Sequence, residues 1–288
     1  MLLALSGALS ALLPHAPPTI IDRGDGWVVA CKPGGIAVHD GDDSLLKQLR
    51  PLVGDKIKLM PVHRLDRETS GVILLATNAE AAAVLQESMQ AKDECVKRYR
   101  GIVNGELKQW GRWTKKLTAK AEGRRNPQGK SAERVEASTS FNVVGANQFL
   151  SVADFKLQTG RTHQIRKHAA MAGHHVIGDT RYGPVVHARK INERYGFDGM
   201  ALHAAELSVR LDGKMRTFTA PLPASWASML APLELADGDE TPSLGAEVQD
   251  EEEEDRKVMA ATGINVERAM AGFAARKAAV LEEAADIS

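Results

Sequence analysis

Cysteine is nearly absent from this chain: 288 residues hold only Cys31 and Cys95, far apart and in no CxxC pair. That excludes a disulfide framework and a thiolate zinc site, and it fits a reducing compartment. Long hydrophobic runs are missing too. The longest uncharged apolar stretch, residues 1–13, is too short to cross a bilayer as a helix. It also lacks the basic start of a secretory signal and the arginines of a transit peptide, since the first positive charge is Arg23. A cytoplasmic protein with a frayed or lightly docked N-terminal helix is the expectation. No segment repeats. With 43% hydrophobic and 26% charged residues, the composition leaves a globular chain and excludes a disordered, collagenous or membrane-embedded one. Its length suffices for one catalytic body of about 200 residues or for two smaller domains.

What is present is charge, unevenly placed. The net charge is zero, yet residues 231–288 hold 15 acidic and 5 basic side chains, which leaves residues 1–230 at +10 and the tail at −10. Such a body suits a polyanion, nucleic acid included. The division sets off an acidic linker with a C-terminal helix over 231–288. Asn265 can cap that helix, in which Val266, Met270, Phe273, Ala274 and Leu281 approximate one apolar face.

Within the body, residues 27–31 form a valine-rich run closed by Lys32-Pro33-Gly34-Gly35, which reads as a strand and a turn. Ser44 can cap a helix through residue 50, residues 72–76 read as a buried strand, and 78–91 as an amphipathic helix. Residues 96–103 form another strand. Residues 139–144 and 149–157 pair around a Gly145-Ala146-Asn147 turn. Between strands 96–103 and 139–144, residues 111–130 carry seven Lys and Arg with little apolar content, which predicts an exposed loop or hairpin that contacts phosphates or is simply solvated. Strands and helices alternate without a regular βαβ period, so the expected fold is α+β, a mixed and largely antiparallel sheet with flanking helices.

Two clusters carry chemistry. The first, HRLDRETSG at 63–71, sits between two apolar strands. Asp66, flanked by Arg64 and Arg67, would be held as a carboxylate, because nearby positive charge favours the ionised form. It can then serve as nucleophile or base, or Asp66, Thr69 and Ser70 can simply cap a turn. The second, TGRTHQIRKH at 159–168, follows a strand and opens a helix at Thr162. On that helix Ile165 and Ala169 face the core, while Thr162 and Arg166 share another face. From there Arg166 can reach a carboxylate on a neighbouring strand with its planar fork, or act as a phosphate clamp or ordinary ion pair.

These two segments resemble the paired signatures of RluA-type pseudouridine synthases. KPGGIAVH at 32–39, KRYRGIVNG at 97–105, GDTRYG at 178–183 and ALHA at 201–204 resemble the subsidiary motifs of that family, in the same order. The resemblance spans residues 20–223, and implies that the body divides into an N-terminal segment 1–19 and a catalytic domain 20–230. It implies isomerisation of uridine in ribosomal or transfer RNA: the base leaves its ribose, turns and rejoins through carbon, with no cofactor and no metal. Asp66 matches the essential aspartate, Arg166 the arginine that pairs with it, and Tyr99 the tyrosine that stacks on the base. Leu202 would wall the other side of the base, and Arg64 would fill the space the base leaves in the stack. His63, Arg161 and His163 lie in the same motifs and are expected to bind substrate. RNA is the expected partner, no membrane is expected, and the protein is expected to act as a monomer. A catalytically silent RNA-binding protein is the alternative, which intact Asp66, Tyr99 and Arg166 argue against. A glycosidase would want a second carboxylate, and only Glu68 is near in sequence.

Overall fold

The computed structural model describes residues 16–91 and 95–233. The apolar stretch 1–13, the acidic linker and the helix after Asn265 lie outside the described residues.

The described chain runs β1 (Thr19–Gly24), β2 (Trp27–Lys32), α1 (Leu45–Val53), β3 (Met60–Pro61), β4 (Ser70–Ala76), α2 (Ala79–Ser88), β5 (Cys95–Asn104), β6 (Trp110–Trp113), β7 (Thr139–Ala146), β8 (Leu150–Leu157), α3 (Gln164–Met171), α4 (Val185–Tyr195), β9 (Leu202–Leu211), β10 (Lys214–Thr219) and α5 (Ala227–Leu230). The strands make one sheet in the order β1-β2-β4-β9-β5-β8-β7-β6, with β10 added to β9 and β3 to β4. Neighbours pair antiparallel except β4 and β9, which meet in parallel through Ser70↔His203 and Gly71↔Ala204. This mixed, mostly antiparallel sheet with helices is the fold class the strand and helix pattern implies.

The short parallel seam joins two half-sheets whose central strands are buried on both faces. In the first half, Val29, Val72 and Leu74 face one core with α2, while Val28, Ala30, Ile73 and Leu75 face another with Leu45 and Leu49 of α1. In the second, Val103, Ala153 and Phe155 pack against Ile165 and Ala169 of α3, and Ile102 and Val152 pack against Trp226 and Met229. This alternation is the period-2 signature of strands buried from both sides. Tyr99 packs against one core of each half.

Local departures from the sequence reading have physical causes. Ser44 sits at the N-cap of α1, but its side chain makes no capping bond. Asn78 does cap α2, accepting from Ala81 N at 2.8 Å, and that helix ends at Ser88 rather than residue 91. The β7–β8 connection falls later than Gly145-Ala146-Asn147. β7 continues to Ala146 through a register shift between Val143 and Gly145, and Asn147 Oδ1 makes the turn by accepting from Phe149 N and Leu150 N. Residues 111–130 are not simply solvated: β6 ends at Trp113, which packs 4.6 Å from Phe141, and Leu117 and Thr118 are wholly buried.

Candidate active site

The groups of the site come from turns, strands and a helix start that meet near the seam. Before β4, the chain turns at Asp66, with Thr69 N donating to Asp66 O at 3.1 Å. This turn is braced from the Lys32-Pro33-Gly34-Gly35 loop. Gly35 N donates to Arg67 O, Arg67 Nε returns a bond to Gly35 O, and the wholly buried Lys32 Nζ donates to Pro33 O, Ile36 O and Arg67 O, each at 2.9 Å. Burial pushes the Lys32 ammonium down to about 8, against the raising influence of Glu68 and Asp66. Where the turn enters β4, Gly71 adopts a φ of +111°, and a Cβ there would overlap the Ala204 carbonyl.

On the other side of the seam, α3 starts two residues later than its sequence suggests. His163, at its N-cap, holds a left-handed φ of 55°. Gln164 fixes this entry: its Oε1 accepts from Thr159 Oγ1 and Arg161 N, and its Nε2 donates to Ser138 O and Thr139 Oγ1. The result aims two side chains at Asp66. Arg166 Nη1 donates to Asp66 Oδ2 at 2.8 Å, and His163 Nε2 lies 3.5 Å from Asp66 Oδ1. Asp66 remains 20% exposed and therefore approachable, whereas Arg166 is nearly buried.

A second carboxylate holds the arginine from behind. Asp179, 3% exposed, accepts from Arg166 Nε at 2.7 Å and Nη2 at 2.9 Å, and also from Arg181 N and Tyr182 N. Burial pushes the Asp179 carboxyl up, but Arg166 and the two backbone N–H groups outweigh it and hold it below the usual range. Burial likewise opposes the Arg166 charge, and the two aspartates more than compensate. Arg166 therefore stays a fixed cation.

Tyr99 and Leu202 come from the central strands. Tyr99 on β5 is in register with Ala204 of β9, the residue that Gly71 pairs from the other side. Burial first, and the Asp66 charge second, push the Tyr99 phenol up, so it stays protonated at neutral pH. Leu202 is 4% exposed and packs in the core that Tyr99 borders.

The structure thus brings Asp66, His163 and Arg166 together, with Tyr99 and Leu202 on the adjoining strands. Arg64 is exposed beside the Asp66 turn. Arg67, expected beside Asp66, turns instead to Gly35. His63 and Arg161 have other partners: His63 Nε2 accepts from Leu74 N at 2.9 Å, with its ring pushed down to about 3 by burial and by Lys97, and Arg161 Nε donates to Glu136 O. Sequence reasoning missed Asp179, Tyr182 and Lys32. The GDTRYG and KPGG motifs marked their positions, but no local pattern gave them a task.

Residues 26–171 match the family model described as RNA pseudouridylate synthase. The chain belongs to that family, in its RluA-like branch. It is 35% identical over 197 residues to the ribosomal large subunit pseudouridine synthase C of Escherichia coli (strain K12), covering 65% of this chain and 60% of that one. With the tRNA pseudouridine synthase C of Haemophilus ducreyi it shares 30% identity over 203 residues, 64% of this chain and 82% of that one. The chain spans about three fifths of the length of the Escherichia coli relative. Human RNA pseudouridylate synthase domain containing 4 has the same fold, with a TM-score of 0.63 at 22% identity, over 81% of this chain and 97% of that one. Among the described residues, no helix is long and apolar enough to cross a membrane, and no group of His, Cys, Asp and Glu is arranged to hold a metal ion.

Proposed function

We propose that this protein converts uridine to pseudouridine in ribosomal or transfer RNA, as a cytoplasmic monomer. The observation that carries the reading is the Asp66 carboxylate: it is partly open to solvent and gripped at Oδ2 by Arg166, whose remaining fork is locked on Asp179. Such a grip ties down Oδ2 and fixes the direction of Oδ1, which has only the looser approach of His163 Nε2 at 3.5 Å, the pre-organisation that covalent catalysis requires. In the reaction the ribose–N1 bond breaks, the base turns, and a bond forms to C5. The C5 proton is lost and N1 gains one. Asp66 acts in this sequence either covalently, on the base or on the sugar, or through an elimination.

The other residues take complementary roles. Tyr99 offers a stacking face and a protonated hydroxyl, and Leu202 supplies the apolar wall opposite. Arg64, exposed next to the turn, can occupy the gap left by the extruded base, replacing lost stacking with a planar cation. His63 and Arg161 serve substrate binding through the segments they hold in place. The family membership supports the reaction class, and relatives named for ribosomal and for transfer RNA support both substrate classes.

The test is to map pseudouridine in RNA from cells lacking the protein, then after restoring the wild type or Asp66→Asn. Sites that disappear, return with the wild type and stay absent with Asp66→Asn establish the reading. Sites restored equally by Asp66→Asn would make the protein an RNA-binding factor instead.

A further inference from the structure

Tyr182 stands behind both groups that face Asp66. Its hydroxyl lies 2.9 Å from His163 Nδ1, its ring meets the imidazole edge-on with centroids 5.6 Å apart, and the Arg166 guanidinium carbon lies 5.3 Å from the centre of its ring. The side chain is 3% exposed, so neither contact is shared with bulk solvent. Its backbone N–H is also bonded to Asp179. One tyrosine therefore touches the support of each Asp66 oxygen: Arg166 at Oδ2 and His163 at Oδ1.

The donor and acceptor roles follow from chemistry. Asp66 Oδ1, 3.5 Å from Nε2, is a carboxylate oxygen that only accepts, which favours the tautomer with its N–H on Nε2. Nδ1 is then the lone-pair nitrogen, and the Tyr182 O–H donates to it. We infer that Tyr182 is a positioning residue that fixes the His163 tautomer and occupies the lone pair by which that ring would otherwise take up a proton. Resting on the reading of Asp66 as nucleophile, this device keeps His163 a neutral donor. An imidazolium there would pair with the carboxylate and blunt it.

The surroundings act in the same sense. Facing His163 are Asp66 from the turn before β4, Arg166 from α3 itself, and Asp179, Arg181 and Tyr182 from the loop between α3 and α4. Burial lowers the imidazole to about 4, with Arg166 and Arg181 adding to the effect and the two aspartates opposing it. The left-handed backbone at His163 points the ring into this setting.

The experiment uses the full chain with 15N-labelled histidine, the His163 signals being assigned by their loss in His163→Asn, a residue that tolerates the left-handed backbone. In the wild type the nitrogen shifts should report a neutral ring protonated on Nε2 through pH 6. In Tyr182→Phe the midpoint should rise by about 1 pH unit or more, because the lone pair is released. An unchanged midpoint and tautomer would overturn the inference. This readout needs no turnover, so it stands even if the wild type modifies no RNA, an outcome that would sink the proposed function alone. Where turnover is measured, Tyr182→Phe should lose about twofold or more additional kcat at pH 5 compared with pH 8, with KM little changed. In the His163→Asn background the same substitution should leave the acid limb where it was. A purely structural tyrosine would lower kcat equally at both pH values and in both backgrounds.

Discussion

Arg166 and Asp179 are joined by two parallel hydrogen bonds, Nε to Oδ2 at 2.7 Å and Nη2 to Oδ1 at 2.9 Å, which leave Nη1 as the donor to Asp66. Fork-on-fork pairing fixes the guanidinium plane, and so fixes the line along which Nη1 meets the Asp66 carboxylate. A lysine would supply charge without that plane.

Asp179→Asn should therefore act on catalysis although Asp179 is 3% exposed and lies behind Arg166. The amide keeps one acceptor, and its NH2 group opposes a guanidinium N–H. We expect kcat to fall about 10- to 100-fold with RNA affinity nearly intact, as for supports that orient a reactive group. Arg166→Lys should lose about 100-fold or more. Single-turnover rates against dissociation constants measure both. Equal loss in rate and affinity would point to unfolding of the site, not to misdirection of Arg166.

Gly71→Ala tests the seam. With a φ of +111° and the Ala204 carbonyl against it, an added methyl must part β4 from β9. A loss of about 2–4 kcal/mol is expected in urea denaturation, combining backbone strain with a broken pairing. Gly123→Ala is the control, since a Cβ there meets nothing within 4 Å, and it should stay within about 0.5 kcal/mol of the wild type.

Stability should fall on the acid side of neutrality through buried histidines. His203 is 1% exposed, with Nδ1 2.8 Å from Ser70 Oγ, and burial pushes it down to about 4. His63 lies at about 3 for the same first cause. In the unfolded chain both protonate near the ordinary 6.5. Between that value and the folded ones, the unfolded state binds more protons, so unfolding becomes easier as pH drops through the window. Above 6.5 neither residue contributes a slope. Each adds about 1.4 kcal/mol per pH unit within its window. His203→Gln should flatten urea-unfolding stability against pH between 6 and 4.5 by about that slope. An unchanged slope would mean that His203 charges in the folded protein.

Lys167→Met should release the basic segment after β6. The wholly buried Lys167 Nζ donates to Thr118 O at 2.9 Å and Lys120 O at 2.6 Å, and His168 Nε2 lies 2.9 Å from Lys115 O. Removing the ammonium leaves two carbonyls without their donor, at a cost of about 2 kcal/mol. Hydrogen exchange should accelerate in residues 115–122 and not in β4. Exchange that is uniform along the chain would refute a local anchor.

Local physics determined a good part of this protein from the sequence alone. Apolar valine-rich runs bounded by turn residues marked β2 and β4, because a strand buried on both faces needs an unbroken apolar stretch. The amphipathic pattern of residues 78–91 marked α2, and the structure adds Asn78 as its cap, whose carboxamide takes a free N–H of the first turn. The motif-bearing segments named Asp66 and Arg166, which meet although they stand 100 positions apart. Only the tertiary structure decided the rest. The β4–β9 seam ties Ser70 to His203 across 133 positions, and such a pairing is chosen by which faces must be buried together, not by any local period. Asp179, Tyr182 and Lys32 sit in or beside loops, where tasks are set by which buried donors and acceptors need partners. The helical pattern assigned no face to Lys167 and His168 of α3, and both are buried because the 111–130 segment folds over them and gives them backbone carbonyls. Hydrogen-bond satisfaction in a closed interior is a property of the assembled fold, and a linear pattern of residues does not carry it.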